Sequence, residues 1–488
     1  MTTNYKIRMT NQSNNCGQHI MVMSTNKTKI ALVNTPLEAA THHPLFPPLG
    51  LAYMAAVLEQ NNFEVKIFDC PVCQIDHEKL KAELNSFQPS IVGIGSMTPT
   101  IESALQSARV AREVCPDAKI VMGGPHATFA DKQILTDEKA VDIIVRGEGE
   151  ETILELAKQS PELQKVNEIK GITFRKYNQI IQTPNRPLIE DLDALPRPAY
   201  KYLAIEKYKI TGRNLLPIMT SRGCPYACSF CVASQMFGAR FRGRSPKNVL
   251  DELEWLRDEY GAEGVAFQDD TFTYDKKRAF EICDGIIERK INLPWGCGTR
   301  ADAVTKELID KMSKAHCNET MFGVESGCQK MRDALKKRVS TEQIENAVKW
   351  AKEAGMFVTV SVILGYPGET KEMLQESLDF VRRMEPDDVW LCHATPYPGT
   401  GLRALVESNG WKMADDWKIY NTMNPIYEDP AFPAKEIAQM RRDFYNKFYS
   451  PRYIVRQGVK GYVKGNLYSK MMARTAANYI LWRAKARV

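Results

Sequence analysis

The stretch TSRGCPYACSFC, residues 220–231, places Cys224, Cys228 and Cys231 in the spacing CxxxCxxC. Three thiolates at this spacing can ligate three irons of a [4Fe–4S] cluster, leaving the fourth iron open to a ligand from outside the protein. A structural zinc site normally takes four protein ligands in two pairs, and no second pair is nearby. Cys70 and Cys73 lie far upstream at the end of a predicted strand, where we expect a turn. We therefore interpret the missing fourth cysteine as the functional feature of the motif.

The cysteines follow the first strand of a series in which short apolar runs alternate with helical patterns. The strand candidates are LPIMTSR, GVAFQDD, LPWGCGTR, ETMFGVES, FVTVSVILG and DVWLCHATPYP. Six β/α units within residues 210–400 predict an incomplete parallel barrel, and sites in such barrels lie at the carboxyl ends of the strands. Most of the unusual residues of the series fall at those ends.

An earlier series of the same kind occupies residues 29–160. Its strand candidates are KIALVN, FEVKIFDC, SIVGIGSM, KIVMGG and VDIIVRG, separated by helical patterns. This alternation predicts a doubly wound, Rossmann-like parallel sheet, with ligands at the carboxyl ends of its strands. We expect a linker with a hairpin over residues 161–209, a disordered extension over residues 1–28, and a mostly helical, basic extension over residues 401–488. The expected fold class is therefore α/β.

The cysteine motif after a first barrel strand, with Phe230 before the last cysteine, resembles the radical S-adenosylmethionine (radical SAM) superfamily. The resemblance implies that SAM chelates the open iron. It also implies that reductive cleavage of SAM gives a 5′-deoxyadenosyl radical, which abstracts hydrogen from an unactivated carbon. An electron donor such as ferredoxin or flavodoxin would supply the reduction.

The resemblance also assigns SAM contacts to successive strand ends. Asp269 and Asp270 in FQDDTF would face the amino group, although the superfamily usually has Gly-Gly-Glu there, and Arg300 in GTRAD would pair with the carboxylate. For each acid a helix cap, and for each glycine a turn, is the alternative. The full set of expected SAM contacts is Phe230, Asp269, Asp270, Arg300, Glu325 and Ser326 near the ribose, and Gly365 and Gly368 near the adenine.

The segments PPLGLAYMAAVLE, GGPHATF and GEGEET resemble the cobalamin-binding radical SAM enzymes. They are most similar to the branch of anaerobic magnesium-protoporphyrin monomethyl ester cyclase and hopanoid-modifying enzymes, over residues 29–400. The Asp-x-His-x-x-Gly signature of a lower-axial histidine is absent, and His42 and His43 lack its neighbours. We therefore expect base-off cobalamin. Its expected contacts are Ser96, Thr98, Gly123, Gly124, Gly147 and Gly149.

The sequence leaves the reaction open between methyl transfer to a substrate radical and ring closure or oxidation, as in a porphyrin cyclase. A methylthiotransferase acting on tRNA or protein needs further cluster cysteines, which Cys16, Cys70, Cys73 and Cys115 do not supply convincingly. A non-catalytic iron–sulfur protein is the alternative outside enzymes, and the series of SAM-type strand ends argues against it.

The N-terminus lacks the apolar core of a secretory signal, and no apolar run approaches the ~18–20 residues of a membrane span. We therefore expect a cytoplasmic protein. Residues 451–488 hold nine Lys/Arg and no Asp or Glu, and residues 441–488 interleave basic with aromatic residues. A solvated helix face and nucleic-acid binding are alternatives, but we favour peripheral attachment to an anionic membrane. The expected apolar side of this tail comprises Leu467, Met471, Ala476, Ile480 and Trp482. The expected substrate is then a small hydrophobic molecule such as an isoprenoid membrane lipid.

Overall fold

A computed structural model describes residues 28–37, 46–160, 164–177, 179–210 and 212–463. Within these residues the chain forms two large sheets, of seven and six strands, with helices packed around them. The predicted fold class, a doubly wound α/β sheet followed by a partial parallel barrel, is confirmed. The predictions for residues 1–27, for His42 and His43, and for residues 464–488 lie outside the described residues.

The first sheet has the spatial order β2-β1-β3-β4-β5-β6-β7. Its strands are β1 (Lys29–Asn34), β2 (Glu64–Asp69), β3 (Ile91–Gly95), β4 (Lys119–Gly123), β5 (Ile143–Val145), β6 (Ile172–Lys176) and β7 (Gln179–Gln182). The first five are parallel, as predicted. The hairpin expected in the linker is β6–β7, and it extends this sheet because β6 pairs antiparallel with β5.

Strand β1 shows why these runs form the centre of a covered sheet. Its residues Ile30, Ala31, Leu32 and Val33 are all fully buried. Ile30 and Leu32 belong to one apolar core and Ala31 and Val33 to another, so each face has its own packed layer. The helices of this region are α1 (Leu49–Gln60), α2 (Cys70–Cys73), α3 (His77–Phe87), α4 (Ile101–Val114), α5 (Pro125–Phe129), α6 (Asp131–Asp137) and α7 (Glu150–Gln159). Cys70 and Cys73 thus lie in a short helix rather than in the expected turn.

The second sheet has the order β15-β14-β13-β12-β11-β8, all parallel, and its two edge strands do not pair with each other. Its strands are β8 (Leu215–Ile218), β11 (Gly264–Phe267), β12 (Trp295–Thr299), β13 (Cys317–Glu325), β14 (Phe357–Leu364) and β15 (Asp388–His393). A small hairpin, β9 (Ser221–Arg222) with β10 (Arg242–Gly243), follows β8. The helices here are α8 (Ala233–Met236), α9 (Pro246–Tyr260), α10 (Lys276–Glu288), α11 (Lys306–Lys314), α12 (Gln329–Ala334), α13 (Thr341–Glu353) and α14 (Lys371–Met384).

The C-terminal segment covers the edge of the second sheet. It contains α15 (Gly401–Ser408), α16 (Ala434–Phe448), α17 (Pro451–Gly458) and a π-helical turn (Val459–Val463). The Tyr445 hydroxyl accepts the Leu391 N–H at 2.9 Å and lies 3.3 Å from the Val389 carbonyl oxygen, so it satisfies the free edge of β15. None of the described helices is both long and apolar enough to cross a bilayer.

The aromatic residues at the start of the basic tail are part of this cover. Tyr449 donates to Asp388 at 2.5 Å and Tyr453 donates to the Asp387 carbonyl at 2.5 Å. The hydroxyls of Tyr449 and Tyr453 are thus bonded inside the fold. The apolar side expected for membrane attachment, from Leu467 to Trp482, lies outside the described residues and stays a prediction.

Candidate active site

The cysteine motif forms a loop between β9 and β10, just beyond the carboxyl end of β8. Gly223 begins the loop with φ +83°, and a Cβ there would lie 2.3 Å from the Arg240 carbonyl oxygen, so only glycine fits. The Cys231 N–H donates to the Cys228 carbonyl at 3.1 Å, which closes a tight turn between these two cysteines. The three predicted cluster ligands therefore share one loop whose ends are held by a hairpin.

The surroundings of the three thiols fit an iron–sulfur cluster. Cys224 Sγ lies 3.6 Å from Thr271 Oγ1, and Arg300 Nη1 lies 3.8 Å from Cys228 Sγ. Burial raises the pKa of the Cys231 thiol to about 11, so a thiolate here needs the positive charge of a metal centre. Within the described part of the chain, no three His, Cys, Asp or Glu side chains converge on a single ion. Three thiols in one loop can ligate three irons of a [4Fe–4S] cluster.

Asp269 and Asp270, at the end of β11, both hold the start of the cysteine loop. Asp269 is buried, and its carboxylate accepts the Thr220 N–H at 2.7 Å, the Ser221 N–H at 2.9 Å and the Thr220 hydroxyl. Asp270 is exposed, and one oxygen accepts the Gly223 N–H at 3.1 Å. Their contact with SAM stays a prediction. Of the two, Asp270 is the more exposed.

Arg300, at the end of β12, lies directly behind the cysteines. Its guanidinium group stacks on the Tyr226 ring, 3.5 Å from the ring centroid, and forms a bidentate pair with Asp302 at 2.9 and 2.8 Å. It also donates to the Lys337 carbonyl at 2.7 Å. Arg300 thus ties the cysteine loop to β12, because Tyr226 lies between Cys224 and Cys228 in the sequence.

Glu325 ends β13 in a left-handed conformation, φ +63°, at an irregularity in the pairing with β14. Its carboxylate receives the buried Lys337 ammonium group at 2.9 Å and the Ser361 hydroxyl at 3.3 Å. The positive charges of Lys337 and Arg300 also lower the pKa of Cys228, although burial raises it more. Lys337 was not among the residues that the sequence singled out, and its place in a loop after α12 gave no signal.

Two further predicted SAM contacts are already engaged in packing. The Ser326 hydroxyl is 2.8 Å from the Ser377 hydroxyl and accepts the Cys328 N–H at 3.2 Å. Phe230 packs against an apolar cluster that includes Tyr366. These residues shape the wall around the cysteine loop, and their contact with SAM stays a prediction.

The GYPGET segment follows β14 and touches the cysteine loop through a hydrogen bond of 2.8 Å between the Tyr366 and Ser229 hydroxyls. Gly365 and Gly368 have φ of +72° and +85°. A Cβ on Gly368 would meet nothing within 4 Å, which leaves the backbone open to a ligand on that side. The buried Glu369 carboxylate accepts the Gly365 N–H at 2.6 Å and fixes the turn.

The predicted cobalamin contacts gather at the carboxyl ends of β3 and β4. Ser96 donates to the Gly123 carbonyl at 2.8 Å, and the Thr98 hydroxyl lies 3.2 Å from His126 Nδ1. Gly124 has φ +99°, and a Cβ there would lie 2.5 Å from the Ser96 carbonyl oxygen. The close approach of these two loops therefore needs glycine, which fits a cradle for a bulky ligand.

Gly147 and Gly149 follow β5. Gly147 has φ +75°, and a Cβ on it would meet nothing within 4 Å, while a Cβ on Gly149 would be 3.2 Å from Met54 Sδ. Gly147 thus borders open space, and Gly149 allows α7 to pack on α1. Contact with cobalamin stays a prediction for both glycines.

The strand ends of the two sheets face each other across three contacts. Glu148, between those glycines, and Glu150 bind Arg222 of β9. The His126 ring packs edge-on against Trp417, with centroids 4.9 Å apart. A Cβ on Gly399, beyond β15, would overlap the Phe129 ring. The loops that carry the predicted cobalamin contacts and the hairpin that frames the cysteine loop therefore lie against each other.

Sequence reasoning missed these contacts, and only one of them had a signal. The acidic residues of GEGEE stand at a strand end that was interpreted as a ligand loop, and Arg222 directly precedes the cysteine loop. Their opposite charges suggested partners, but their separation of more than 70 residues in the chain hid the pairing.

Comparison with known proteins agrees with this arrangement. Residues 218–381 match the radical SAM superfamily, and residues 39–157 match the B12 binding domain. The chain is 33% identical to an uncharacterized methyltransferase of Pyrococcus horikoshii, over 88% of this chain and 94% of the relative. It is 32% identical to the anaerobic magnesium-protoporphyrin IX monomethyl ester cyclase of Cereibacter sphaeroides, over 83% and 67%.

A solved structure has the same fold. It is that of the radical SAM methyltransferase TsrM from Kitasatospora setae with cobalamin and a [4Fe–4S] cluster bound. The TM-score is 0.71, with 17% identity, over 93% of this chain and 100% of that one.

Proposed function

This chain belongs to the radical SAM enzymes that carry a B12-binding domain, and from that membership we propose that it transfers a methyl group to an unactivated carbon of a hydrophobic substrate. Its cofactors are a [4Fe–4S] cluster, SAM and cobalamin. When bound, they supply an adenosyl radical that opens a C–H bond and a methyl group that replaces the hydrogen. The observation that carries the proposal is that the loop with the predicted cobalamin contacts Gly147 and Gly149 is bonded, through Glu148 and Glu150, to the hairpin that frames the cysteine loop.

The proposed roles of the side chains follow from their placement. Cys224, Cys228 and Cys231 hold the cluster. Arg300 and Glu325 flank the cysteine loop and hold the SAM carboxylate and ribose. The backbone at Ser96 and Gly124 cradles the cobalamin tail.

The net reaction balances with an external reductant. One substrate C–H bond, two SAM and two electrons give the C–CH3 product, methionine, 5′-deoxyadenosine and S-adenosylhomocysteine. The substrate hydrogen leaves in 5′-deoxyadenosine, and no proton is left over. The electrons come from a donor of the ferredoxin or flavodoxin class.

One exposed aromatic side chain near the site, that of Trp390, supports a substrate with apolar parts. Trp390 is 41% exposed on the edge strand β15 and lies in register with Ser361, whose hydroxyl contacts Glu325. Residues in register on neighbouring parallel strands point to the same face of the sheet, so Trp390 and Ser361 share one face, and the Ser361 hydroxyl on that face reaches Glu325. We propose an isoprenoid membrane lipid as the substrate, and one curated relative is a hopanoid C-3 methylase.

Ring closure or oxidation of a tetrapyrrole is the second candidate, favoured by the similarity to the magnesium-protoporphyrin ester cyclase. The two are separated by anaerobic incubation of reconstituted enzyme with labelled SAM and either lipid or pigment extract. Methylation adds the mass of a methylene group and carries the label into the product. Ring closure removes two hydrogens and leaves the product unlabelled, which would overturn the methyl-transfer proposal.

Replacement of the three cysteines by Ala tests the cluster assignment. The triple variant should lose the iron–sulfur absorbance and the release of 5′-deoxyadenosine together, because no spare thiolate is available in the loop. Cys73→Ala is the matched control, since Cys73 is also a free, part-exposed thiol but lies in α2. A full cluster with SAM cleavage in the triple variant would exclude the assignment.

Membrane attachment through the basic tail is tested by truncation after residue 463. The shortened chain keeps Tyr453 and Gln457, which bond to Asp387, so the covered sheet edge stays intact. Full-length enzyme should sediment with anionic liposomes at low salt, and the truncated enzyme should not, while both cleave SAM. Tight RNA binding by the full-length enzyme without liposome binding would contradict the lipid proposal.

A further inference from the structure

Four buried charged side chains join the loop after β5 to the hairpin that frames the cysteine loop. Arg222 Nη1 lies 2.8 Å from Glu148 Oε1, and Arg222 Nη2 lies 2.5 Å from Glu150 Oε1. Arg242 Nη1 lies 3.0 Å from both oxygens of Glu148. The four side chains are only 3–6% exposed. We call Glu148, Glu150, Arg222 and Arg242 the ionic bridge.

The ionic bridge is completed by backbone groups of the linker. The Ile189 N–H donates to Glu148 Oε2 at 2.8 Å, and the Ile189 carbonyl accepts from Arg242 Nη1 at 2.5 Å. Glu148 therefore receives three donors from three separate segments of the chain. A buried ion pair contributes little net stability against an apolar pair, but removing one partner leaves an uncompensated buried charge and is strongly destabilising. Such a bridge is suited to fixing one relative position of the segments that it joins.

The position that it fixes lies between the two proposed cofactor sites. Arg222 and Arg242 are directly opposite each other in the hairpin, so they mark both ends of the cysteine loop. Arg222 lies two residues before Cys224. On the other side, Glu148 lies between Gly147 and Gly149, which are predicted cobalamin contacts. None of the four residues of the ionic bridge is itself an expected ligand of the cluster or contact of cobalamin.

We propose that the ionic bridge is a set of positioning residues that fixes the distance between the iron–sulfur cluster and cobalamin. The proposal rests on the cofactor placement under the proposed function. It assigns no contact with substrate or cofactor to the four side chains. Their effect is through the two loops, since a shift of one loop of about 1 Å relative to the other can lower the rate of a reaction between groups held on them about 100-fold.

The test is the magnetic interaction between the two cofactors in the reduced holoenzyme, where the cluster and cob(II)alamin are both paramagnetic. The dipolar splitting in the electron paramagnetic resonance spectrum depends steeply on their separation. The variants are Glu148→Asp, which keeps the charge but shortens the central side chain, and Glu150→Gln, which keeps an acceptor oxygen and the volume. The matched control is Glu252→Asp, because the Glu252–Arg244 pair is as deeply buried but joins α9 to the segment after β10 and does not include the loop after β5.

Glu148→Asp and Glu150→Gln should retain iron and cobalamin at parental stoichiometry and change the dipolar splitting. Cleavage of SAM without substrate needs the cluster and an electron donor but not cobalamin, so its rate should stay within a few-fold of the parent. Glu252→Asp should keep the parental splitting at a similarly lowered unfolding temperature. Parental splitting in both bridge variants, or the same change in the control, would overturn the inference. Loss of cobalamin or iron from both variants would also overturn it, because the residues would then act in binding. A parent without either cofactor would instead refute the proposed function.

Discussion

The substitution Glu369→Gln tests the chemistry of the turn beside the cysteine loop. The Glu369 side chain is buried, and one of its two carboxyl oxygens, Oε2, accepts the Gly365 N–H at 2.6 Å. Burial raises the pKa of this carboxyl from 4.5 to about 8, and the hydrogen bond from Gly365 opposes the rise only in part. A glutamine has nearly the same shape, can accept the same hydrogen bond and never ionises.

The sign of the pH dependence follows from the raised pKa. The folded protein holds the proton more tightly than the unfolded chain, so this contribution to stability is complete below the ordinary pKa of 4.5. It is lost as the pH rises, until the folded carboxyl ionises at about 8. Since one pKa unit is worth about 1.4 kcal/mol, the parent should lose about 2 kcal/mol of unfolding free energy between about pH 6 and pH 8. Glu369→Gln should not show this loss.

Two measurements check this prediction. Infrared difference spectra should show a carboxyl C=O band that disappears near pH 8 in the parent and is absent from Glu369→Gln. The unfolding temperature of the parent should fall relative to that variant over the same range, whereas Glu376→Gln, on the exposed face of the helix that follows, should follow the parent. A parent and a Glu369→Gln variant with parallel pH profiles would refute the reasoning that burial keeps this carboxyl protonated.

Two further substitutions test the two loops. Gly124→Ala should abolish cobalamin binding, measured by absorbance, because its Cβ would overlap the Ser96 carbonyl oxygen. Gly147 is also at positive φ, but a Cβ there would have no atom within 4 Å, so Gly147→Ala should retain more cobalamin. Equal loss of cobalamin in both variants would contradict the steric argument. Tyr226→Leu should lower the cluster content and SAM cleavage, because it removes the ring on which the Arg300 guanidinium stacks at 3.5 Å. Tyr226→Phe keeps the ring and should keep both properties. Identical behaviour of the Leu and Phe variants would exclude stacking as the cause.

The alternation of apolar strands and helices was enough to predict both sheets. All eleven strand candidates form strands, because runs such as KIALVN bury every inner residue and have no other stable place in a helix-covered sheet. The hairpin of residues 161–209 was predicted, but its union with the first sheet was not. Pairing at the edge of a sheet depends on backbone groups, so the side-chain pattern of β6 did not indicate that β5 would be the neighbouring strand.

The site was predictable only where chemistry is local in the sequence. The three cysteines lie in one short loop, so their spacing in the sequence predicts a shared metal centre. The partners that fix this loop come from elsewhere: Asp269 from β11, Arg300 from β12 and Glu148 from the first sheet. Their carboxylates and guanidinium groups look in the sequence like ligand contacts, since buried charges at strand ends are typical of sites. In the fold Asp269 bonds to the start of the cysteine loop, Arg300 stacks on Tyr226 within it, and Glu148 bonds to the hairpin that frames it, while contact with SAM stays a prediction for Asp269 and Arg300. A charged residue at a strand end thus indicates the location of a site more dependably than the molecule that the residue contacts. The residues that hold the cysteine loop in place belong to the same strand ends as the residues expected to hold SAM and cobalamin.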